Sequence, residues 1–390
     1  MAEETLVFPM DRTNPLVPPA AYFEALQGPP RRVTLHSGER AWLVSRYDQV
    51  RALLTDRRVG ADHSHPDFPH LIPVPHEPGS LSIMRMDPPE HTRLRRMLAQ
   101  EFTARRVAEM RPGVQRTVDD LLDAMTPPAD LVDAFTMPLP SLVICQLLGV
   151  PYSDHAFFQE QSRRITAMDG PEQGAAAMVE LAGYLEELTA SKERTPSDDL
   201  LGRLATRFVN TGALSHEELV AMARLLLIGG HETTANALGL AVFALLRQPG
   251  QWAALRDGPD LVAPAAEELL RYLSVIQGLD RVALADIDLD GHRIARGDAL
   301  IIGILSPNFD PAVFPDGATL DVRRETRQHL AFGYGSHQCI GAALARLELD
   351  AALSTLLARF PDLRLVAEPA DIPFRTDMLI FGPYQLPVVW

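Results

Sequence analysis

The sequence predicts a mainly α-helical protein with small β-sheets, folded as a single domain across residues 1–390. Three observations carry this reading. From Asp87 to about Leu273 apolar residues recur mostly at helical spacing, with Leu, Ala, Glu and Arg enriched. After Asp280 the texture changes to strand alternation in Ile287-Asp288-Leu289 and in Leu300 to Ile304. No internal repeat, low-complexity linker or break in composition divides the chain.

Taken in order, the segment Met1 to Pro19 is acidic and broken by Pro9, Pro15, Pro18 and Pro19. It lacks the cationic start and apolar run of a secretory signal, so a cytoplasmic location is expected. Val33 to His36 and Ala41 to Val44 flank Ser37-Gly38-Glu39-Arg40 and read as a hairpin, with a helix from about Tyr47. Residues 61 to 86 are crowded with Pro and His and form a long loop. A helix follows, with Asp87 as cap, Pro88 at its first position and Glu90 at its third. Ser215 with Glu218 three residues later opens a helix reaching about Gln248, and Pro264 starts another. Turn signals at Asp290-Gly291 and Arg296-Gly297-Asp298 separate the strands. A last helix, from about Cys339 to Phe360, precedes a β-like tail.

Composition narrows the function. At 46% hydrophobic residues the chain can bury a large core, and a formal net charge of -15 argues against a nucleic-acid partner. The longest apolar region, Leu225 to Leu246, carries His231, Glu232, Thr233 and Thr234 at its middle; one charge at bilayer centre costs about 2.5 kcal/mol or more, so no membrane span is expected. Two cysteines make no disulfide framework. Cys145, within the apolar run Leu142 to Leu148, reads as a core residue, which leaves Cys339.

Four constellations carry chemistry. In Phe332-Gly333-Tyr334-Gly335-Ser336-His337-Gln338-Cys339-Ile340-Gly341 the glycines let backbone approach a flat ligand, and a helix N-terminus favours a thiolate. A buried structural cysteine or a Cys/His nucleophile pair are the alternatives; a zinc site lacks a second nearby cysteine. In Gly229-Gly230-His231-Glu232-Thr233-Thr234 two glycines and a carboxylate interrupt an apolar helix, which marks either a site or a helix break at Gly230. Glu268 and Arg271 form an i,i+3 pair that alone says little. His91 and Arg95 share a helix face, and with Arg281 they are cations able to hold an acidic ligand or simply a solvated face.

The first string resembles the haem-binding signature of the cytochrome P-450 family, matched at every fixed position. The resemblance implies the cytochrome P-450 fold and a b-type haem (iron protoporphyrin IX) with Cys339 as its axial metal ligand. It implies that His91, Arg95, Arg281 and His337 hold the propionates and that Phe332 and Gly341 pack beside the ring. The second string resembles the family's oxygen-binding helix motif; Glu232 and Thr233 would organise proton delivery and Gly230 would leave room for dioxygen. Glu268 and Arg271 resemble the Glu-x-x-Arg motif, and by analogy join Arg324 in a structural buried triad. Phe309 and Leu320 depart from the family's usual arginine and phenylalanine.

The implied function is a monooxygenase that uses dioxygen and two electrons from a ferredoxin or flavodoxin-like donor to hydroxylate or epoxidise a small apolar organic molecule, such as a secondary metabolite or xenobiotic. Expected pocket walls are the loop 61 to 86, residues 165 to 177, Leu226, Gly230, Val275, Ile276 and Leu379 to Phe381. From His91 to Arg116 seven arginines face two carboxylates, a local +5; Arg93 and Arg96 are expected to dock the acidic donor. The rival readings are a peroxide-driven peroxygenase, a haem-based sensor or ligand carrier, and a cysteine hydrolase.

Overall fold

The computed structural model describes residues 6–71, 81–167 and 171–390. Residues 72–80 of the expected loop and 168–170 of the expected pocket wall lie outside them. The helices are α1 (Ala20–Leu26), α2 (Tyr47–Leu53), α3 (Glu90–Ala99), α4 (Ala104–Ala124), α5 (Pro138–Leu148), α6 (His155–Thr166), α7 (Pro171–Arg194), α8 (Leu200–Leu204), α9 (His216–Leu246), α10 (Pro249–Asp257), α11 (Val262–Tyr272) and α12 (Ala342–Arg359). The strands are β1 (Val7–Phe8), β2 (Arg31–Leu35), β3 (Arg40–Val44), β4 (Val59–Gly60), β5 (Ala129–Asp130), β6 (Gly278–Ala283), β7 (Ile287–Leu289), β8 (His292–Ile294), β9 (Ala299–Gly303), β10 (Arg364–Leu365) and β11 (Pro387–Val389).

Among the described residues the main sheet runs β1-β2-β3-β9-β6-β4. The expected hairpin is β2 and β3, paired antiparallel with Val33 opposite Ala41. Strand β9 lies at the centre, parallel to β3 and antiparallel to β6, and Leu300 to Gly303 are buried on both faces, as its unbroken apolar run requires.

Helix α9 is apolar nearly all round and therefore lies inside the molecule, packed on α5, α6 and α7. Its 31 residues cover about 46 Å at 1.5 Å each. Ser215 accepts from the Glu218 amide (3.2 Å) while the Glu218 carboxylate takes the Ser215 N–H (2.9 Å), so the expected capping box is present. No helix of the described residues is long and apolar enough to cross a membrane.

Three boundaries differ from expectation. Helix α3 begins at Glu90, because the Asp87 carboxylate is engaged elsewhere, accepting the amides of Ala61 (2.9 Å) and Asp62 (3.3 Å) instead of capping. Helix α11 begins at Val262, which puts Pro264 inside its first turn. Helix α12 begins at Ala342, three residues after Cys339, because Gly333 and Gly335 at φ +68° and +75° keep the preceding segment a loop.

Candidate functional site

The loop before α12 is built by its glycines. A Cβ on Gly335 would stand 2.3 Å from the Leu54 carbonyl oxygen, so only glycine fits that backbone beside α2. The loop closes on itself when the Cys339 amide donates to the Phe332 carbonyl (2.8 Å). Cys339 is exposed at its tip, while Cys145 is buried in the core, its thiol pushed up to about 12 by desolvation. Surrounding protein desolvates the Cys339 sulfur and raises it too, but here amides of Gly341 and Ala342 and the guanidiniums of Arg95 and Arg346 pull the other way. Those groups stabilise a thiolate, the form a metal binds. Gly341, the residue before α12, stands next to the sulfur; a Cβ there would meet only Cys339 Sγ, at 3.9 Å.

The expected cations converge beside this loop. The His91 and His337 rings stack with centroids 4.0 Å apart. Arg95 donates to the Gln338 carbonyl, and Arg281 is buried with Nη1 on the Asp280 carbonyl (2.7 Å). Burial pushes His337 down to about 3, helped by Arg281, His91, Arg95 and Arg85. His91 is pushed down by burial and by Arg95 and Arg281, against Asp87. Arg281 falls to about 10 through burial. His91 is 1% exposed and neither ring nitrogen has a partner among the described residues. The guanidiniums of Arg95 and Arg281 and the buried His91 ring, whose nitrogens have no partner among the described residues, are donors suited to two carboxylates, so the residues present fit the propionates of a haem whose iron would take the Cys339 sulfur.

Arg85 belongs to this cluster and was not foreseen. It pairs with Asp280 at 2.6 Å and lies in a Pro- and His-rich stretch without periodicity; its only signal was a lone cation just ahead of Asp87. Phe332 packs against Ala266, Leu270 and Leu349, with the Arg346 guanidinium 4.6 Å from its ring centroid. Arg346 in turn grips Glu267 (2.5 and 2.8 Å).

On α9 the Thr233 hydroxyl donates to the Gly229 carbonyl (2.8 Å). Glu232 is fully buried; its Oε2 accepts from Asn236 Nδ2 (3.1 Å) and Arg375 Nη1 (3.2 Å), and Oε1 has no partner among the described residues. The carboxylate therefore meets Arg375, far away in the sequence, and not the neighbouring hydroxyl. His231 is buried, held neutral by desolvation.

Of the two glycines, a Cβ on Gly229 would meet nothing within 4 Å, whereas one on Gly230 would meet Ile144 Cδ1 at 3.1 Å. The room expected at Gly230 lies at Gly229; Gly230 serves the close approach of α5. Val275 and Ile276 are half-buried after α11, and the Val275 carbonyl accepts the Phe381 amide (3.0 Å), which joins these expected walls.

Glu268 and Arg271 are fully buried at 2.7 Å, and Arg324 Nε reaches Glu268 at 3.1 Å, so the expected triad is assembled. The Asn308 and Gly317 carbonyls take Arg271 Nη1 (2.6 and 2.9 Å), and Thr326 donates to Glu268 (2.8 Å). Phe309 lies with its ring centroid 5.4 Å from the Arg271 guanidinium, and Leu320 is buried nearby in the core.

The docking expectation needs one correction. Arg93 is occupied, bonding Glu90 (2.8 Å), Glu218 and the Ala213 carbonyl (3.0 Å), because the start of α9 lies against α3. Arg96 and Arg116 are exposed, as is Arg105, 82% accessible.

A family model described as Cytochrome P450 matches residues 144–383. The chain is 49% identical over 369 residues to Cytochrome P450-SU2 of Streptomyces griseolus, covering 93% of this chain and 91% of that one. It is 45% identical over 391 residues to pentalenic acid synthase of Streptomyces avermitilis, covering 99% and 97%. The solved structure of mycinamicin VIII C21 methyl hydroxylase from Micromonospora griseorubida, bound to mycinamicin VIII, superposes with a TM-score of 0.95 at 44% identity and covers 99% and 100% of the two chains.

Proposed function

The chain belongs to the cytochrome P450 family and is a haem-thiolate monooxygenase; from that premise we propose the parts its own residues play. Cys339 supplies the axial sulfur, with the amides of Gly341 and Ala342 directed at it. His91, Arg95, Arg281, His337 and the unforeseen Arg85 neutralise the propionates. When bound, a thiolate-ligated haem supplies the electron-rich iron that favours O–O cleavage. The observation that carries this reading is the buried, carboxylate-hungry cluster beside an amide-supported sulfur.

Thr233 and Glu232 deliver protons. The Thr233 hydroxyl sits on α9 beside Gly229, where the helix leaves space, and Glu232 Oε1 is the atom that takes up and hands on a proton, its Oε2 being fixed by Arg375 and Asn236. Positioned acid catalysis of this kind contributes typically about 10² to 10⁴ in rate. The substrate is a secondary metabolite or xenobiotic lying against Gly229, Val275, Ile276 and Phe381. Its two electrons come from an acidic ferredoxin or flavodoxin-like protein docked on Arg96, Arg105 and Arg116, in the cytoplasm.

The test is the visible spectrum of the reduced carbonyl adduct. Wild type is expected to give the thiolate-type band, and Cys339→His a histidine-type band like that of a globin. A wild-type protein without pigment, or unchanged by Cys339→His, rejects the assignment. Turnover with peroxide but never with a reductant would favour the peroxygenase.

A further inference from the structure

A narrow recess, partly open to solvent, lies between the segment Pro9 to Arg12, Gln277, and the segment Arg375 to Phe381. Gln277 builds it. Its side-chain oxygen accepts the Met10 amide (3.0 Å) and the Tyr22 hydroxyl (2.8 Å), and its Nε2 donates to the Met10 carbonyl (2.8 Å). That clamp fixes Arg12, two residues on, with its guanidinium 4.3 Å from the Phe381 ring centroid and Nη2 on the Ser274 carbonyl (2.8 Å).

Arg12 is only 8% exposed, its Nε has no partner, and among the described residues no carboxylate pairs with it. Asp11, the adjacent acid in the wall, is exposed and forms no ion pair among them. Of the other buried guanidiniums, Arg281 likewise has no carboxylate ion pair among the described residues and lies in the cluster assigned to the propionates, whereas two are paired. Arg271 has Glu268 at 2.7 Å, and Arg375, which lines the same recess, has Glu232 at 3.2 Å. Desolvation pushes Arg12 down to about 10, opposed by the charge interaction with Tyr22. A buried cation without a counter-charge is costly unless an anion completes it.

We infer that Arg12 is the anchor for a carboxylate on the substrate, which therefore is an amphipathic organic acid. Two features select that chemistry. A guanidinium whose buried Nε has no partner among the described residues can donate to an oxygen of a carboxylate. Phe381, whose ring stacks on Arg12, also donates its amide to Val275, so a molecule gripped at the recess continues along the apolar walls already assigned to the substrate. That the bound acid is the substrate rests on the monooxygenase reading; that the recess binds a carboxylate does not.

Calorimetric titration of the ferric holoenzyme with dodecanoate, dodecan-1-ol and acetate tests it. Wild type is expected to bind dodecanoate about tenfold or more tighter than dodecan-1-ol, the worth of one charge-assisted hydrogen bond. Arg12→Gln is expected to bring the ratio to about one, with Arg12→Lys intermediate. A wild-type ratio near one overturns the proposal, as does a ratio unchanged in an Arg12→Gln protein that melts like wild type. Should Arg12→Gln not fold, the wild-type ratio and its change in Arg12→Lys decide. Acetate displacing dodecanoate at equal concentration would make the recess a site for free anions and overturn the substrate assignment. A missing thiolate-type carbonyl band would instead sink the monooxygenase reading and leave the calorimetric preference standing.

Discussion

Glu268 holds together more of the chain than any motif around it suggests, accepting from Arg271, Arg324 and Thr326 and taking the Asp321 amide (3.3 Å). Glu268→Ala would leave Arg271 charged and buried, an expected loss of about 3 to 5 kcal/mol read from denaturant midpoints. Glu348 is the opposite case: buried on α12, with Oε2 unpartnered among the described residues, its carboxyl is pushed well above the ordinary 4.5 by desolvation. The folded protein therefore keeps a proton that the unfolded chain gives up, and stability falls as pH rises above 4.5. Glu348→Gln is expected to raise Tm relative to wild type at pH 8 and to do so less at pH 5. Residues such as Cys339, His337 and Glu268 were legible because each sits in a short contiguous pattern. Arg85, Arg375 and Arg12 were not, since each comes from an irregular segment and meets its site only through tertiary contact.

Helix α9 concentrates what the local sequence could say about an element. Its Ser215 and Glu218 box was readable to the residue, and Ser215→Ala is expected to cost about 1 kcal/mol in thermal unfolding. The two glycines at its middle were readable as an anomaly but not as a division of labour, because which of them faces α5 depends on a partner helix some 85 residues earlier. Gly229→Ala is expected to stabilise the holoenzyme by about 1 kcal/mol while weakening ligand binding, as the new methyl enters open space. Gly230→Ala is expected to lower Tm, since Ile144 must move, with ligand binding far less affected. A Tm comparison of the two variants decides. The start of α12 was misplaced for a related reason: helical composition extends back to Cys339, yet positive φ at Gly333 and Gly335 and the approach to Leu54 hold that stretch out of the helix.

At the scale of the molecule, charge is unevenly shared: the chain carries -15, while His91 to Arg116 carries +5. Arg96→Glu with Arg105→Glu is expected to slow reduction by the electron donor several-fold at low salt and to leave substrate binding intact; stopped-flow kinetics that ignore both salt and substitution would remove the docking face. Arg93→Glu should act mainly on stability, because that side chain ties α3 to the start of α9. The order of elements could be read along the chain, but closure of the site could not, since it joins distant segments. Met10 is clamped to Gln277, Glu232 to Arg375, and β5 to β11 through Asp130 and Pro387. This wiring has a consequence for biosynthesis. Glu232 gains its cation and β5 its neighbour only once the segment from Arg375 to Val389 has been made and folds back, so this side of the protein closes later than the helices that precede it.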